Sequence, residues 1–210
     1  SVAEIYEAVL DYDDEAVPEL VNAELEANTD LRVILDDGMI AALDDIGARF
    51  SEGTLFVPEM LMAAQAVQAG MDILRPLLAE TGAKPVGTVV IGTVKGDLHD
   101  IGKNLVGMLL EGAGFQVVDL GVDIDAATFI NAAQENEADL VAISGLLTTS
   151  MPEIESAVAT IAEANTSRNL NVKVMVGGPI NNDFATRIGA DGYGESAPAA
   201  VERARNLVTA

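Results

Sequence analysis

Apolar residues in the first 84 positions recur every three or four residues, the spacing of amphipathic helices. We predict four helical segments, over residues 2–12, 18–28, 30–50 and 57–78. Short polar stretches separate the segments, and Pro58 is tolerated because it falls in the first turn of the last one. The pattern therefore predicts a small four-helix bundle.

The pattern changes near residue 85, where short β-branched and apolar runs begin to alternate with amphipathic stretches. We predict strands over residues 87–94, 115–120, 140–144, 173–177 and 192–193. Helices are expected over residues 101–112, 125–135, 152–164, 184–188 and 198–208. Such alternation is typical of a Rossmann-like, doubly wound parallel sheet, which binds ligands beyond the carboxyl ends of its strands. Because Gly and Pro mark a linker at 81–85, the predicted domains are 1–84 and 85–210.

Composition narrows the classes of function. The chain has no cysteine, which excludes disulfides, thiolate zinc sites and iron–sulfur clusters. Its net charge of −23 disfavours contact with a nucleic-acid backbone. The excess of acidic side chains either keeps the surface solvated or steers basic partners toward the protein. No apolar run reaches the roughly 18 residues of a membrane helix, and the acidic start lacks the features of a secretory signal. We expect a soluble, cytoplasmic protein.

Candidate chemistry begins at the loop that follows the first predicted strand. His99, the one histidine of the chain, lies there between the carboxylates of Asp97 and Asp100. A neutral imidazole is a good metal ligand, and a neighbouring carboxylate can fix its tautomer. With no second histidine and no cysteine, a zinc site with several protein ligands is poorly supported. One imidazole is sufficient for a metal that arrives with its own four equatorial ligands.

A phosphate-binding loop is the rival interpretation of this segment, because Gly96 and Gly102-Lys103 resemble its frame. The spacing differs by one residue, and Asn104 stands where a magnesium-binding Ser or Thr is required. The acidic residues of the loop would also repel phosphates. We therefore reject a nucleotide-phosphate site here.

Three short motifs, in a fixed order, resemble the corrinoid-binding signature. They are Asp97-x-His99-x-x-Gly102, then after 41 residues Ser144-x-Leu146, then after 30 residues Gly177-Gly178. Each falls at a predicted strand end. The signature belongs to methionine synthase, the corrinoid mutases and the small corrinoid proteins of methyltransferase systems. In the methyl-transfer branch a helical cap domain precedes the Rossmann-like domain. The change here from helical spacing to alternating strands and helices near residue 85 suggests the same order.

The resemblance implies a cobalamin or related corrinoid whose own nucleotide base is detached from cobalt and replaced by His99. Asp97 would accept the other imidazole proton, and Ser150 would extend this relay. The relay would couple the protonation of the histidine to the oxidation state of cobalt. These three residues are the expected catalytic set, with His99 as the metal ligand.

The resemblance also implies the contacts of the detached nucleotide tail. Ser144 and Thr148 would offer hydroxyl groups to it, Gly177-Gly178 would allow close backbone approach, and Tyr193 would close the pocket. Further cofactor contacts are expected at Asp100, Ile101, Gly102 and Leu146. Taken singly, the two glycines could form an ordinary tight turn and Ser144 an ordinary strand-end cap. The ordered spacing of the motifs favours the cofactor interpretation.

The segment from Phe50 to Leu61 is similar to the cap-domain motif of the small corrinoid proteins. We predict that Phe56, Met60 and Met62 belong to the core of the bundle in preference to contacts on the methyl-bearing face. Met39 and Met71, in the same half of the chain, are assigned to packing.

Our first hypothesis is a corrinoid protein that accepts a methyl group on Co(I) and passes it on from methyl–Co(III). The donor would be a methylamine, glycine betaine, methanol or a methoxy-aromatic compound. The expected partners are a substrate:corrinoid methyltransferase, a methyl-corrinoid:acceptor methyltransferase and a reductive activation protein. The chain would be a carrier subunit, not a complete enzyme. The alternatives are a cobalamin-dependent sensor, which usually also carries a DNA-binding segment, and a detached mutase subunit, which would lack the helical half.

Overall fold

The computed structural model describes residues 1–82 and 84–209 and divides into two compact units. The first unit comprises residues 1–85 and 111–114, and the second comprises residues 86–110 and 115–210. Ala83, within the predicted linker, lies outside the described residues. The division between domains at 84 and 85 stays a prediction. Over the described part of the chain, no helix combines the length and the apolar character that a membrane crossing requires.

The first unit consists of helices, as predicted. They are α1 (Val2–Leu10), α2 (Ala16–Glu26), α3 (Leu31–Val33), a π-helical stretch (Ile34–Ile40), α4 (Ala41–Ser51) and α5 (Val57–Glu80). Polar side chains fix where two of them begin. Ser1 and Glu4 form a capping box at the start of α1, and Asp30 accepts the Arg32 amide at 2.8 Å at the start of α3.

One predicted helix, over residues 30–50, contains a turn that a 3.6-residue period does not anticipate. Between α3 and α4 the backbone widens into the π-helical stretch, which also holds Gly38. A Cβ at Gly38 would lie 3.2 Å from Cγ2 of Ile5, so α1 packs directly against the backbone at this point. The wider turn shifts the register of the apolar stripe. Ile34 and Ile46 are buried, whereas Ile40, six residues from each, is only half-buried.

The methionines of this unit divide between core and surface. Met39, Met60 and Met71 are buried, as predicted. The prediction was wrong for Met62, which is 41% exposed, and for Phe56, which is 67% exposed. Met62 lies two residues beyond Met60 on α5, about 200° around the helix axis, and so faces away from the buried stripe. Phe56 has extended backbone as the N-cap residue of α5 and lies outside the helix.

The second unit is a five-stranded parallel sheet with helices between its strands. The strands are β1 (Thr88–Thr93), β2 (Gln116–Asp119), β3 (Leu140–Ser144), β4 (Lys173–Gly177) and β5 (Gly192–Gly194). The helices are α6 (Ile101–Gly112), α7 (Ala126–Glu135), α8 (Met151–Arg168), α9 (Asn182–Arg187) and α10 (Ala197–Thr209), with a 3-10 turn (Thr148–Ser150) before α8. The strand order is β2-β1-β3-β4-β5. The predicted Rossmann-like fold class is thereby confirmed.

Strand register brings the carboxyl ends of four strands to one edge of the sheet. Thr93 pairs with Ser144, Ser144 pairs with Gly177, and Gly177 pairs with Gly194. All six residues of β1 are buried, as expected for a central strand covered on both faces. The loops that follow β1, β3 and β4 therefore start side by side, although they are about 50 and 30 residues apart in sequence.

Candidate functional site

The site is built around the carboxylate of Asp97, in the loop after β1. Its Oδ1 accepts the main-chain amide of His99 at 3.0 Å and lies 2.7 Å from the His99 Nδ1. Its Oδ2 accepts the amides of Leu146 and Leu147 at 2.7 and 3.1 Å and the hydroxyl of Ser150 at 2.8 Å. One fully buried side chain thus joins the loop after β1 to the loop after β3.

These contacts decide the protonation of the pair. Burial alone would raise the pKa of Asp97, but the hydrogen bonds from His99, Leu146 and Ser150 outweigh it and hold the pKa below its usual range. An ionised carboxylate can only accept hydrogen bonds, so Nδ1 of His99 must be the donor. In the neutral imidazole, Nε2 then carries the free lone pair. The imidazole is 52% exposed, which leaves that nitrogen accessible to a ligand.

The backbone of the His99 loop is held from two further directions. The buried hydroxyl of Thr93, at the end of β1, donates to the main-chain carbonyl of His99 at 2.8 Å. From the loop after β2, Asp123 accepts the Gly96 amide at 2.8 Å, and its own amide donates to the carbonyl of Asp97 at 3.1 Å. The loop is therefore set in place by neighbours on β1, β2 and β3 before any ligand binds.

Lys103 does not serve a phosphate. Its side chain is 2% exposed, and its ammonium donates to the carboxylate of Asp119 and to the amide oxygen of Asn104. The first of these contacts ties α6 to the end of β2. A phosphate-binding lysine must reach solvent, so the structure agrees with the rejection of a phosphate loop.

Exposed apolar residues lie close in sequence to His99 and among the residues that donate to Asp97. Leu98 is 72% exposed, Ile101 at the start of α6 is 71% exposed, and Leu146 and Leu147 are 48% and 41% exposed. Exposed large apolar side chains in two neighbouring segments are solvated poorly by water. We call these four residues the apolar rim. A flat, mainly hydrophobic ligand that needs one nitrogen donor would cover them.

The other residues predicted for the site lie on the same edge of the sheet but outside the hydrogen-bonded group. Asp100, Gly102 and Thr148 are exposed. Ser144 is half-buried, and its main-chain carbonyl accepts the amide of Val94 at 2.8 Å. The Tyr193 hydroxyl donates to the carbonyl of Ile180 at 2.6 Å, which ties β5 to the loop after β4.

A corrinoid fits this set of residues. Among the described residues no group of three or more His, Asp or Glu side chains could hold a metal ion. One imidazole nitrogen with a fixed tautomer is therefore suited to a metal whose other ligands come from a macrocycle. The apolar rim is suited to the macrocycle itself. The space at Gly102 is open as well, since a Cβ built there would meet nothing within 4 Å.

Comparison with known families decides the relationship. Residues 87–202 match the B12 binding domain family, and residues 2–75 match a second B12 binding domain family. The chain belongs to the B12-binding corrinoid proteins. The family predicted from the three motifs is thereby confirmed.

Relatives of known name resemble the chain over nearly its full length. It is 39% identical to trimethylamine corrinoid protein 1 of Methanosarcina mazei, covering 97% of this chain and 95% of that protein. It is 41% identical to the dimethylamine corrinoid protein of Methanosarcina barkeri, covering 92% and 89%. A chain of the methanol:cobalamin methyltransferase complex of Methanosarcina barkeri superposes with a TM-score of 0.81 at 30% identity, covering 99% and 79%.

Sequence reasoning missed four residues that shape the candidate site. Leu98 and Leu147 could have been found as large apolar residues within otherwise polar loops. Thr93 could have been found as a polar residue at the end of an apolar strand. Asp123 gave no local signal, because its contacts with Gly96 and Asp97 depend on how β2 pairs with β1.

Proposed function

We propose that this protein carries a methyl group on the cobalt of a bound corrinoid, taking it from one methyltransferase and delivering it to another. When bound, the corrinoid would supply a nucleophilic cobalt centre to which the methyl group can be attached and from which it can be removed. The observation that carries the proposal is the exposed imidazole of His99, tied through Nδ1 to the buried carboxylate of Asp97.

His99 would hold the cofactor's metal through Nε2, in place of the cofactor's own nucleotide base. Asp97 keeps the proton on Nδ1 and strengthens the imidazole as a donor, because its pKa is low and it stays ionised. Ser150 donates to the same carboxylate and sets its orientation at 2.8 Å. These residues would adjust the donor strength of the histidine, while the chemistry on the methyl donor lies with the partners.

The remaining predicted residues are proposed to bind the cofactor around this centre. Asp100, Ile101, Gly102 and Leu146 would contact the corrin edge. Ser144 and Thr148 would bind the detached nucleotide tail with their hydroxyl groups. Gly177, Gly178 and Tyr193 would line the far end of the tail's path.

The proposed partners are a substrate:corrinoid methyltransferase, a methyl-corrinoid:acceptor methyltransferase and a reductive activation protein. The names of the relatives support a methylamine as the first donor to test. The fold shared with a chain of the methanol:cobalamin methyltransferase complex keeps methanol as the second. Glycine betaine and methoxy-aromatic compounds complete the set.

The test is reconstitution with hydroxocobalamin, followed by desalting, reduction to Co(I), and addition of each donor with its methyltransferase. Stoichiometric retention and conversion to the methylated spectrum with one donor is the expected result. Retention without methylation by any donor would contradict the carrier role and favour a sensor. No retained corrinoid would contradict cofactor binding altogether.

His99→Ala tests the axial ligand in the same assay. It is expected to retain corrinoid through the nucleotide tail but to lose the histidine-ligated spectrum. Lys95→Ala, at an exposed position of the same loop, is the matched control and should keep the wild-type spectrum. A wild-type spectrum from His99→Ala would exclude His99 as the ligand.

A further inference from the structure

Gly178 makes an unusually close contact within the protein. It follows β4 with φ +129°, and a Cβ built there would lie only 1.9 Å from the carbonyl oxygen of Gly145. The neighbouring Gly177 differs, since its Cβ would meet the Gly194 carbonyl oxygen at an ordinary 3.5 Å. The loops after β3 and β4 therefore touch backbone to backbone at one position, and any side chain at 178 would force them apart.

The carbonyl that Gly178 contacts belongs to the peptide unit that also holds the amide of Leu146. Peptide units are planar and rigid, so the Gly145 oxygen cannot move without rotating the Leu146 N–H. That N–H donates to Oδ2 of Asp97 at 2.7 Å, the shortest of the three amide contacts to this carboxylate. Displacement at Gly178 is thus transmitted through one peptide plane to Asp97.

From this geometry we infer that Gly178 is a positioning residue for the Asp97–His99 pair, acting through the Gly145–Leu146 peptide. The inference rests on the proposed function for its significance, because it concerns the orientation of the proposed metal ligand. It differs from the expectation that the glycine pair only makes room for the nucleotide tail. If the glycines only make room for the tail, a side chain at 178 would disturb the complex with the cofactor and nothing else. Our inference predicts that it also disturbs the Asp97–His99 pair in the cofactor-free protein.

The test uses the cofactor-free protein, in which the single histidine gives one imidazole signal set in a ¹⁵N NMR spectrum. Wild type is expected to show one tautomer, with the proton on Nδ1. Gly178→Ala is expected to show a mixture of the two tautomers. Its displaced Leu146 amide no longer holds Oδ2 of Asp97, so the carboxylate no longer keeps the proton on Nδ1 of His99. Gly189→Ala is the control, because Gly189 also has positive φ (+81°) but open space at Cβ, and it should keep the wild-type tautomer.

A second pair of variants covers the case in which Gly178→Ala does not fold. Leu147→Pro removes the second amide donor to Oδ2 of Asp97, at a position whose negative φ of −89° needs a modest adjustment to accept proline. It is expected to mix the tautomers, whereas Leu147→Ala, which keeps the amide, is expected to retain one. A wild-type tautomer in a folded Gly178→Ala, or in Leu147→Pro, would overturn the inference.

Reconstitution separates this inference from the proposed function. If wild type binds corrinoid without histidine ligation, the proposed axial role fails, while the tautomer measurement on the cofactor-free variants still stands. If wild type shows the histidine-ligated spectrum and Gly178→Ala shows the same spectrum at the same strength, the positioning role fails alone. The expected result is loss of the histidine-ligated spectrum in Gly178→Ala and its retention in Gly189→Ala.

Discussion

The hydroxyl of Thr93 donates a hydrogen bond to the main-chain carbonyl of His99 across 2.8 Å. Thr93 is the last residue of β1 and is fully buried, so its hydroxyl has no access to water. The bond spans six residues and folds the loop back onto the end of its own strand. The strand thereby fixes the main chain of His99, while Asp97 fixes the side chain.

We predict that Thr93→Val destabilises the protein by about 0.5–1.5 kcal/mol, because it removes the hydrogen bond to the His99 carbonyl while the side-chain shape is kept. It should also weaken the histidine-ligated spectrum after reconstitution with corrinoid. Thr93→Ser keeps the hydroxyl and should retain the spectrum, at a cost of about 0.8 kcal/mol for the lost methyl group. Equal losses of the spectrum in both variants would contradict the role of the hydroxyl.

The stabilisation provided by Asp97 should depend on pH. Its pKa in the folded protein lies below that of an unfolded aspartate, about 3.9, because hydrogen bonds outweigh the effect of burial. Its contribution to the free energy of unfolding is therefore complete above about pH 5 and is lost as the pH falls below about 4. Wild type and Asp97→Asn should differ most near pH 7 and converge at low pH.

Urea unfolding of the cofactor-free proteins at several pH values, followed by circular dichroism, checks this expectation. Thr93→Val is the control, since it changes no titrating group and its deficit should be independent of pH. A difference between wild type and Asp97→Asn that grows on acidification would show that the sign is wrong.

Lys103 and Asp119 should respond unequally to substitution. Asp119→Ala leaves the buried ammonium of Lys103 with only Asn104, and an uncompensated buried charge costs about 3 kcal/mol or more. Lys103→Met removes the charge itself, and the partly exposed Asp119 can be hydrated. We predict that Asp119→Ala lowers the free energy of unfolding more than Lys103→Met does, as measured by urea unfolding. The reverse order would show that the pair contributes little beyond packing.

The apolar rim should contribute to cofactor affinity and little to folding. Ile101→Gln replaces a side chain that is 71% exposed, so the cofactor-free protein should keep its thermal midpoint. Burial of such a side chain by a ligand contributes about 1.5–3 kcal/mol, so the corrinoid dissociation constant should rise by about tenfold or more. Val86→Thr, at another exposed apolar position, is the control and should leave affinity unchanged. Unchanged affinity in Ile101→Gln would place the corrin elsewhere.

Local chemistry made most of the fold predictable. The helix at 101–112 and the strands at 140–144 and 173–177 have the predicted bounds, because each is a continuous periodic run closed by a glycine or a polar residue. Helix α8 continues four residues beyond its predicted end. Its C-cap is Asn169 in a left-handed conformation, and no proline or glycine in the sequence marks this end. The π-helical stretch also escaped prediction, because tight packing of Ile5 on Gly38 is not a local property.

The sequence alone determined the corrinoid family and the two kinds of domain, and its resemblance to that family implied the partnership of Asp97 with His99. The tertiary structure decided which main-chain amides join Ser150, which the resemblance had implied, around Asp97. The amides of Leu146 and Leu147 and the hydroxyl of Ser150 come from about 50 residues away. A main-chain amide leaves no mark in the sequence, and its position depends on the pairing of β1 with β3 and on the contact between Gly145 and Gly178. The ionised state of Asp97 follows from those distant donors, and so only the folded chain could reveal it.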